Sequence, residues 1–267
     1  MIQKESPVTL LFQYYELLIN FVKRDFAQRY VGSLLGMYWS IINPVITLLL
    51  YIVVFGFFLK VRLPGSDSIW DYSLYFAAGF LPFLAFQSTL LRASQSIIDN
   101  KNYVKKVPFP SELFPICSTL SESINLFIGI SIYFVIFLIL KGIPQPVILL
   151  IPLIILLQIF FTMSIAFILS AATVFFRDIP QILGSVFLIW FWATPIAYTA
   201  HSIPENFQWI LTINPMYYIL EMYREVLLYA TIPNPIIFLS FTGFTVFLLF
   251  VSIKIFKCVK RGFSELL

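Results

Sequence analysis

Residues 23–44 read KRDFAQRYVGSLLGMYWSIINP, and this stretch decides the fold. It begins with a cluster of charged side chains and ends in an apolar run that Asn43 and Pro44 interrupt. Between these halves lie Gly32 and Gly36, small residues that let a backbone bend or pack closely. The pattern predicts an elbow, at which a charged segment on a membrane surface turns into a first membrane span.

The composition of the whole chain is that of a membrane protein. Of the 267 residues, 60% are hydrophobic and 11% are charged, whereas charged residues make up about 25% of an average soluble chain. A membrane span needs roughly 20 apolar residues, so the chain has room for about five to seven spans. We therefore predict an all-α polytopic membrane protein.

The apolar runs predict six transmembrane helices in a single domain over residues 1–267. These spans lie at about 34–59, 72–91, 113–140, 147–175, 182–198 and 235–256. With the N-terminus in the cytoplasm, 13 of the 17 Lys and Arg residues fall on the cytoplasmic side, as the positive-inside rule requires. The sequence thus predicts that both termini are cytoplasmic, including a tail at 257–267.

Residues 7–31 predict an amphipathic helix that lies in the plane of the membrane surface. Polar residues recur every three to four positions along one face, and apolar residues fill the other face. The alternative is a packed helix of a soluble N-terminal domain, although so short a segment is too small to bury a core. We expect residues 1–33 to form a cytoplasmic interface helix.

The loop between the second and third spans, residues 94–107, reads SQSIIDNKNYVKKV. It is polar, and Pro108 and Pro110 prevent a helix from continuing beyond it. A short helix held off the membrane at this place suits docking to a soluble partner, whereas the plainer interpretation is an ordinary positive-inside loop. Together with the N-terminal helix, this segment provides two cytoplasmic features that could transmit force from an ATPase.

Residues 199–232 form a polar and aromatic excursion on the opposite side of the membrane. Two short amphipathic helices are predicted within it, on either side of an Asn-Pro dipeptide. Their apolar content favours a pair of re-entrant helices, because such residues are unusual in a water-exposed loop; the alternative is a helix pair lying flat on the surface. Glu221, Arg224 and Glu225 are spaced for a local ion pair.

The sequence offers little for catalysis or for cofactor binding. It contains no Gly-x-x-x-x-Gly-Lys phosphate loop, so we expect that this chain does not hydrolyse ATP itself. His201 is the only histidine, which excludes a paired-histidine metal motif, and no disulfide is expected between Cys117 and Cys258. We predict no catalytic residue, no metal site and no cofactor in this chain.

Aromatic residues near the fifth span and the excursion are candidates for the wall of a wide pore, since sugar rings pack well on aromatic faces. The candidates are Trp190, Trp192, Tyr198, Trp209, Tyr217 and Tyr218. The alternative for each is the interfacial aromatic belt or ordinary packing. Glu122 is a further candidate, because a charge within a span usually faces the bundle interior or water; alternatively, it lies close enough to the cytoplasmic surface to reach water or Arg92.

The elbow carries a recognisable motif. Its residues are Arg24-Asp25, Arg29-Tyr30, Ser33, Leu35-Gly36, Trp39 and Asn43-Pro44, and further family patterns occur at Phe176-Arg177-Asp178 and Asn214-Pro215. This order resembles that of the membrane subunits of polysaccharide ABC exporters, most closely the O-antigen export permeases, with capsule and teichoic-acid permeases as relatives. The resemblance covers most of the chain, from the interface helix to the excursion before the sixth span.

This resemblance implies a homodimer of the chain in the bacterial cytoplasmic membrane, with each copy bound to one ATP-binding cassette subunit. The partner subunit would bind ATP and Mg²⁺. An undecaprenyl-diphosphate-linked polysaccharide would pass outward through a channel between the two copies, in contact with membrane lipids. No nucleic acid is implied.

The resemblance also implies roles for individual residues. Residues 94–107 would be the coupling helix, with contacts to the ATPase made by Ser94, Gln95, Asp99, Asn100, Lys101, Tyr103, Lys105 and Lys106. The interface elbow would comprise Arg24, Asp25, Arg29, Tyr30 and Gly36. Residues 203–230 would form outer gate helices beside the pore candidates.

Two other classes of protein stay open as alternatives. A membrane-embedded lipid-glycan enzyme would need polar catalytic residues gathered at one surface, and the sequence offers only scattered ones. An ion-coupled secondary transporter usually has internal repeats and charges at mid-membrane, and only Glu122 comes near that pattern. The elbow motif does not by itself separate O-antigen from teichoic acid as the exported glycan.

Overall fold

The computed structural model describes residues 14–28, 32–106 and 110–267, and most of these residues are helical. No β-strand occurs within those ranges. The helices, in chain order, are α1 Tyr15–Gln28, α2 Trp39–Tyr51, α3 Ile69–Asp99, α4 Lys101–Lys106, α5 Leu113–Lys141, α6 Ile151–Phe175, α7 Ile179–Ala193, α8 Trp209–Ile213, α9 Pro215–Leu227, α10 Pro235–Val259 and α11 Phe263–Leu266. The prediction of an all-α protein is confirmed for this part of the chain.

Shorter turns of other helix types extend several of these elements. A 3₁₀ turn at Gly36–Tyr38 leads into α2, and a π-helix at Ile52–Phe58 prolongs α2. A further 3₁₀ turn, Pro146–Leu150, leads into α6. In the same way, Lys260–Gly262 continues α10, so that several helices are long enough to cross a membrane.

Five helical stretches in the described residues are long and apolar enough to span a membrane. They are Gly36–Phe58, Ile69–Asp99, Leu113–Lys141, Pro146–Phe175 and Pro235–Gly262. These stretches confirm five of the six predicted spans. The other predicted span corresponds to α7, which has 15 residues and a length of about 22 Å at 1.5 Å per residue. Because the hydrocarbon core is about 30 Å thick, the count of six stays a prediction.

Helix α3 is the central element of the bundle. It packs against α5, α6, α7 and α9, whereas α10 packs mainly against α6. Phe76, Ala78 and Phe86 of α3 are each 0% exposed. A stretch of small residues at 77–79 allows neighbouring chains to approach this helix closely. Helix α3 therefore positions the elements at both ends of the bundle.

The end of α3 differs from the prediction. The helix continues to Asp99 instead of ending near residue 91, because Ala93 and Ile97 are both 0% exposed and keep its buried face in the core. At Asn100 the side-chain Nδ2 donates a hydrogen bond to the carbonyl of Ser96 at 2.9 Å, and the regular helix stops. The predicted coupling helix is thus divided between the last turns of α3 and the short helix α4.

The elbow glycines bend the chain but do not pack closely. Gly32 has a φ of +82° and Gly36 a φ of +49°, in the left-handed region that favours glycine. A Cβ atom built at either position meets no atom within 4 Å among the described residues. Of the two roles that were open to these glycines, the described residues show the bend, and the backbone conformation is what requires glycine at both positions.

Candidate functional sites

One candidate site joins α1 to the coupling segment. Arg24 Nη1 donates a hydrogen bond to Tyr103 Oη at 2.8 Å, and Arg24 Nη2 donates to Asn100 Oδ1 at 3.4 Å. The same guanidinium carbon lies 4.4 Å from the ring centroid of Phe21 and 5.4 Å from that of Tyr103. Charge-assisted hydrogen bonding and cation–π attraction together tie α1 to α4.

Arg92 of α3 connects this surface to the bundle interior. Its Nη2 atom lies 2.6 Å from Asp25 Oδ1 on α1, and its Nε atom lies 3.4 Å from Glu122 Oε1 on α5. Ser88 Oγ and Asn125 Nδ2 donate to the other oxygen of Glu122, at 3.2 and 2.9 Å. The structure therefore gives Glu122 the Arg92 contact that was its plainer interpretation, and a direct role in transport stays a prediction.

A cavity of about 430 Å³ lies between α1, α3, α4 and α5. Its wall includes Arg24, Asp25, Gln95, Asp99, Asn100 and Tyr103, which were predicted as elbow or coupling residues. The structure thus brings six of the predicted residues together around one polar space. Phe114 and Cys117 of α5 also line it.

The remaining elbow and coupling candidates are distributed differently. Ser94 is 0% exposed and donates to the carbonyl of Leu91 at 2.6 Å, so its side chain packs inside the bundle. Lys101 and Lys105 are exposed on α4. Lys106 is the last residue of α4, and its side chain lies outside the described part of the structure. Arg29 and Tyr30 lie outside the described residues.

A second candidate site surrounds Arg224 of α9, at the opposite end of the bundle from α1. Arg224 is 0% exposed. Its Nη1 atom lies 2.8 Å from Glu221 Oε1, its Nη2 atom donates to the carbonyl of Pro195 at 2.6 Å, and its guanidinium lies 3.7 Å from the ring centroid of Tyr75. A Cβ atom at Gly79 would lie 2.7 Å from Arg224 Nη2, so a side chain at this position of α3 would displace the guanidinium.

This arrangement confirms the predicted ion pair between Glu221 and Arg224. The arginine also has a role that the spacing did not predict, because it anchors α9 against α3 and against the irregular segment after α7. The sequence gives a weak signal of this burial, because apolar residues flank Arg224 on both sides but two glutamates, Glu221 and Glu225, are also close to it. The participation of Tyr75 and Gly79 could not be found without the tertiary structure.

The segment that follows α7 is irregular and buried. Tyr72 Oη donates to the carbonyl of Ala197 at 2.9 Å, and Tyr75 Oη donates to that of Tyr198 at 3.0 Å. Non-helical backbone at membrane depth is tolerated where protein groups satisfy it. These two tyrosines of α3 provide such groups for the carbonyls of the segment.

Two ionisable side chains of α9 have shifted pKa values. Burial, followed by the charge of Glu221, raises the pKa of Glu225 above its ordinary value. Burial also raises the pKa of Tyr217, to which the Glu221 charge contributes. Glu225 is therefore a group through which pH can change the stability of this end of the protein.

The aromatic pore candidates have different surroundings. Trp190 Nε1 donates to Asn214 Oδ1 at 2.9 Å, and its ring is stacked on Phe187 with 6.0 Å between centroids, which is a packing arrangement. Trp192 and Trp209 are 48% and 59% exposed. The hydroxyl of Tyr198 donates a hydrogen bond to the carbonyl of Trp192 at 2.5 Å. The hydroxyl of Tyr218 donates a hydrogen bond to the carbonyl of Thr212 at 2.9 Å. The ring of Tyr217 contacts that of Tyr218 edge to face.

A third feature is a cavity of about 400 Å³ beside the first span, which we name the first-span cavity. It lies between α2, α3 and α5, and Arg92 contributes to its wall as well as to that of the α1 cavity. Trp39, Asn43 and Pro44 of the elbow motif line it, together with Glu122. The sequence motif thus surrounds a space that sequence reasoning did not predict.

Known proteins show similarity along nearly the whole chain. The O-antigen export system permease protein RfbA of Klebsiella pneumoniae is 30% identical over 256 residues, which cover 95% of each chain. The protein of the same name from Myxococcus xanthus is 27% identical over 257 residues, or 96% of each chain. The polysialic acid transport protein KpsM of Escherichia coli is 21% identical over 238 residues, or 88% of this chain and 90% of that protein.

The profile of the ABC-2 type transporter membrane family matches residues 16–228. The match includes the elbow, the α1–α4 contact, the first-span cavity and the Arg224 site. It also agrees with the membrane-spanning helices found in the structure. The chain is a multi-pass membrane protein that belongs to the ABC-2 type transporter family.

Proposed function

We propose that this chain is the permease subunit of an ATP-driven exporter of lipid-linked polysaccharide, of the O-antigen class. The observation that carries the proposal is similarity over 95% of the chain to proteins named as O-antigen export permeases. In our proposal the transported molecule is an undecaprenyl-diphosphate-linked glycan that crosses the cytoplasmic membrane. The chain forms the channel and performs no covalent chemistry.

The energy for export comes, in this proposal, from a separate ATP-binding subunit that holds ATP and Mg²⁺. Two copies of the permease and two of the ATPase assemble, with both permease termini in the cytoplasm. The contact of Arg24 with Tyr103 supports this arrangement, because it joins α1 and α4 into one unit. A push on that unit is passed through Asp25 and Arg92 to the bundle interior.

The opposite end of the bundle forms the exit in this proposal. The short helices α8 and α9 are re-entrant gate helices, and α7 with the irregular segment after it serves as the fifth of six spans. The burial of Arg224 supports this assignment, since a fully buried cation that links three segments holds the gate helices against α3. The exposed rings of Trp192 and Trp209 would then lie where the glycan leaves.

A capsular or teichoic-acid polysaccharide is the second candidate substrate. The similarity to KpsM, named as a polysialic acid transport protein, favours this possibility. That relative is 21% identical, compared with 30% for RfbA of Klebsiella. We therefore place O-antigen first.

Deletion of the gene in its native host, followed by complementation, tests the proposed function. We expect the deletion to abolish surface polysaccharide while lipid-linked glycan accumulates inside the cell, and the wild-type chain to restore export. Pull-down in mild detergent should recover an ATP-binding subunit in a two-to-two ratio. Unchanged surface polysaccharide in the deletion strain would refute the proposal, and a chain that is recovered alone and still modifies lipid-linked sugar would favour the enzyme alternative.

The coupling role is tested by reversing two charges on α4. Lys105→Glu with Lys106→Glu should lower export while the ATPase activity of the assembled complex persists, because the partner no longer moves α4. Lys60→Glu, at an exposed lysine on the side that we propose to be external, is the control. Normal export by the α4 variant would remove the docking role from this segment.

A further inference from the structure

We propose that Gln158 of α6 is a positioning residue for export, which passes a bend of α3 at Pro82 to the short helix α9 through Tyr223. The inference rests on the proposed function, in which α9 is a gate helix, and it names the contact that moves this gate. Three helices meet at the Gln158 side chain. We name the three residues Pro82, Gln158 and Tyr223 the amide joint.

The amide of Gln158 is bonded at both of its ends. Its Nε2 atom donates a hydrogen bond to the carbonyl of Pro82 at 2.8 Å, and its Oε1 atom accepts one from the hydroxyl of Tyr223 at 2.8 Å. The backbone carbonyl can only accept a hydrogen bond, so the amide has a single possible orientation. One side chain of α6 therefore ties α3 and α9 to the same point.

The surroundings of the amide joint are apolar. Gln158 is 2% exposed and Tyr223 is 0% exposed, and Leu157 and Phe161 beside them on α6 are buried as well. In such surroundings, separating two bonded polar groups leaves each without a partner, which costs more free energy than the bond itself contributes. We therefore expect these bonds to persist when the bundle rearranges, so that the helices they join move together.

Pro82 is the place at which α3 can bend. The helix extends over 31 residues, and a proline inside it lacks the N–H group that would bond to the carbonyl four residues earlier, here that of Ala78. Sharp bends in helices occur mainly at such positions. The hydrogen bond from Gln158 is made to the carbonyl of this proline, so the amide joint lies at the bend point of α3.

The two halves of α3 that meet at Pro82 are attached to opposite ends of the bundle. The half before the proline carries Tyr75, whose ring contacts the guanidinium of Arg224 on α9. The half after it carries Arg92, which lies 2.6 Å from Asp25 on α1. A bend at Pro82 therefore changes the angle between the half that faces the ATPase in our proposal and the half that holds the gate helix.

Helix α9 is held by two neighbouring residues that lead to different helices. Arg224 contacts the outer half of α3, whereas Tyr223 bonds to α6 through Gln158. When α3 bends at Pro82, its outer half shifts relative to α6. A helix that is fastened to both must tilt, and this tilt is the gate movement that we infer.

Transport by reconstituted vesicles tests this proposal. The full chain and its ATPase are inserted into vesicles with undecaprenyl-diphosphate-linked polysaccharide from the native host, and the glycan translocated per ATP hydrolysed is measured. Tyr223→Phe keeps the ring and removes the hydroxyl, so we expect this ratio to fall about two- to tenfold, as the loss of one hydrogen bond would produce. The double variant with Gln158→Met should lose no more than Gln158→Met alone, because both changes break the same link.

Thr162→Val is the matched control. Thr162 lies about one turn after Gln158 on α6, is 3% exposed, and donates from its hydroxyl to the carbonyl of Gln158 at 2.7 Å. This bond stays within one helix, so its loss should leave the transport ratio unchanged. The Tm of each variant in detergent shows how far the fold itself is affected.

A second variant, Pro82→Ala, tests the bend without removing the amide joint. Alanine keeps the carbonyl that accepts from Gln158 and supplies the N–H group that proline lacks, so α3 becomes stiffer. We expect the transport ratio to fall about two- to tenfold while the Tm stays at or above that of the wild type. A purely structural role of these residues would not give that combination.

The outcomes are separable from those for the proposed function. An unchanged transport ratio in Tyr223→Phe or in Pro82→Ala would overturn the inference, whatever happens to the Tm. Additive losses in the double variant would overturn it as well, since the two residues would then act separately. Normal translocation by the wild-type complex would leave the proposed function standing in all of these cases, whereas a wild-type complex that translocates no glycan would refute that function itself.

Discussion

Replacing the buried arginine of α9 by methionine, Arg224→Met, should be among the most destabilising single substitutions in this chain. The change removes the guanidinium from Glu221 and from the carbonyl of Pro195. It also removes the cation that lies 3.7 Å from the ring centroid of Tyr75. Methionine has a similar length and is apolar, so the variant tests the polar contacts more than the packing.

The magnitude follows from these contacts. Hydrogen bonds to charged groups contribute about 1.5–3 kcal/mol each, and a desolvated cation–π contact contributes about 2 kcal/mol. Such terms are not additive, and removing one partner of a buried ion pair costs about 3–5 kcal/mol. Because the Glu221 side chain is 31% exposed and can be partly solvated, we take the lower end, about 3 kcal/mol. For a chain of this size that corresponds to a fall in Tm of roughly 6–12 °C.

The assay is heating of the detergent-purified permease, fused to a fluorescent protein, followed by fluorescence-detected gel filtration. Arg177→Met is the matched control, because Arg177 is exposed between α6 and α7. We expect its Tm to stay close to that of the wild type. Gly79→Ala should also lower the Tm, since the new Cβ would lie 2.7 Å from Arg224 Nη2 and overpacking costs about 1–3 kcal/mol.

A clear result would refute the reasoning. If Arg224→Met and Arg177→Met have the same Tm, the buried guanidinium does not hold α9 in place. The assignment of α8 and α9 as gate helices anchored on α3 would then lose its support. If Arg224→Met lowers the Tm while Gly79→Ala does not, the guanidinium stabilises the fold but can move aside for a methyl group on α3.

Three further predictions concern other parts of the molecule. Because the pKa of Glu225 is raised, the folded state binds its proton more tightly than the unfolded state does. The stability that this residue contributes is therefore present at low pH and is lost as pH rises through the folded pKa. In a pH series of thermal scans, Glu225→Gln should raise the Tm relative to wild type at pH 8 and make no difference near pH 4. Gly36→Ala should lower the free energy of unfolding by about 1 kcal/mol because of its positive φ, whereas Gly243→Ala, in open space on α10, should be neutral or stabilising in the same scan. Tyr103→Phe keeps its ring contact with Phe21 but loses the bond from Arg24, so export per ATP hydrolysed should fall in reconstituted vesicles, and an unchanged ratio would show that this hydrogen bond carries no coupling.

The predicted elements agree with the structure where hydrophobicity alone decides. Five spans were located from apolar runs because a segment of about 20 apolar residues has few stable alternatives to a membrane helix. The exception is α7, which ends at Ala193, before the predicted end of its span near residue 198. Two buried tyrosines of α3 donate hydrogen bonds to backbone carbonyls of the segment after α7. The local sequence around residues 193–198 does not predict such distant partners.

The candidate sites divide in a similar way. Arg24, Asp25 and Tyr103 were singled out from their positions in charged segments, and the structure brings them to one surface. The same reasoning also selected Ser94, which the structure places in the interior. The sequence does not show whether a serine near the end of a span lies on the buried or the exposed face of its helix. Trp190 donates a hydrogen bond to Asn214 of a distant segment, and its place in the wall of a pore stays a prediction.

The sequence by itself determined that this chain is a membrane protein, where five of its spans lie and which family motif forms its elbow, because composition and local order carry that information. Only the tertiary structure decided that Arg224 is buried against Gly79, that Arg92 stands between Asp25 and Glu122, and that the elbow motif lines a cavity. These contacts join residues from different helices. Their geometry depends on how the helices pack against one another, and helix packing follows from side-chain shape over the whole bundle and not from any one stretch of sequence.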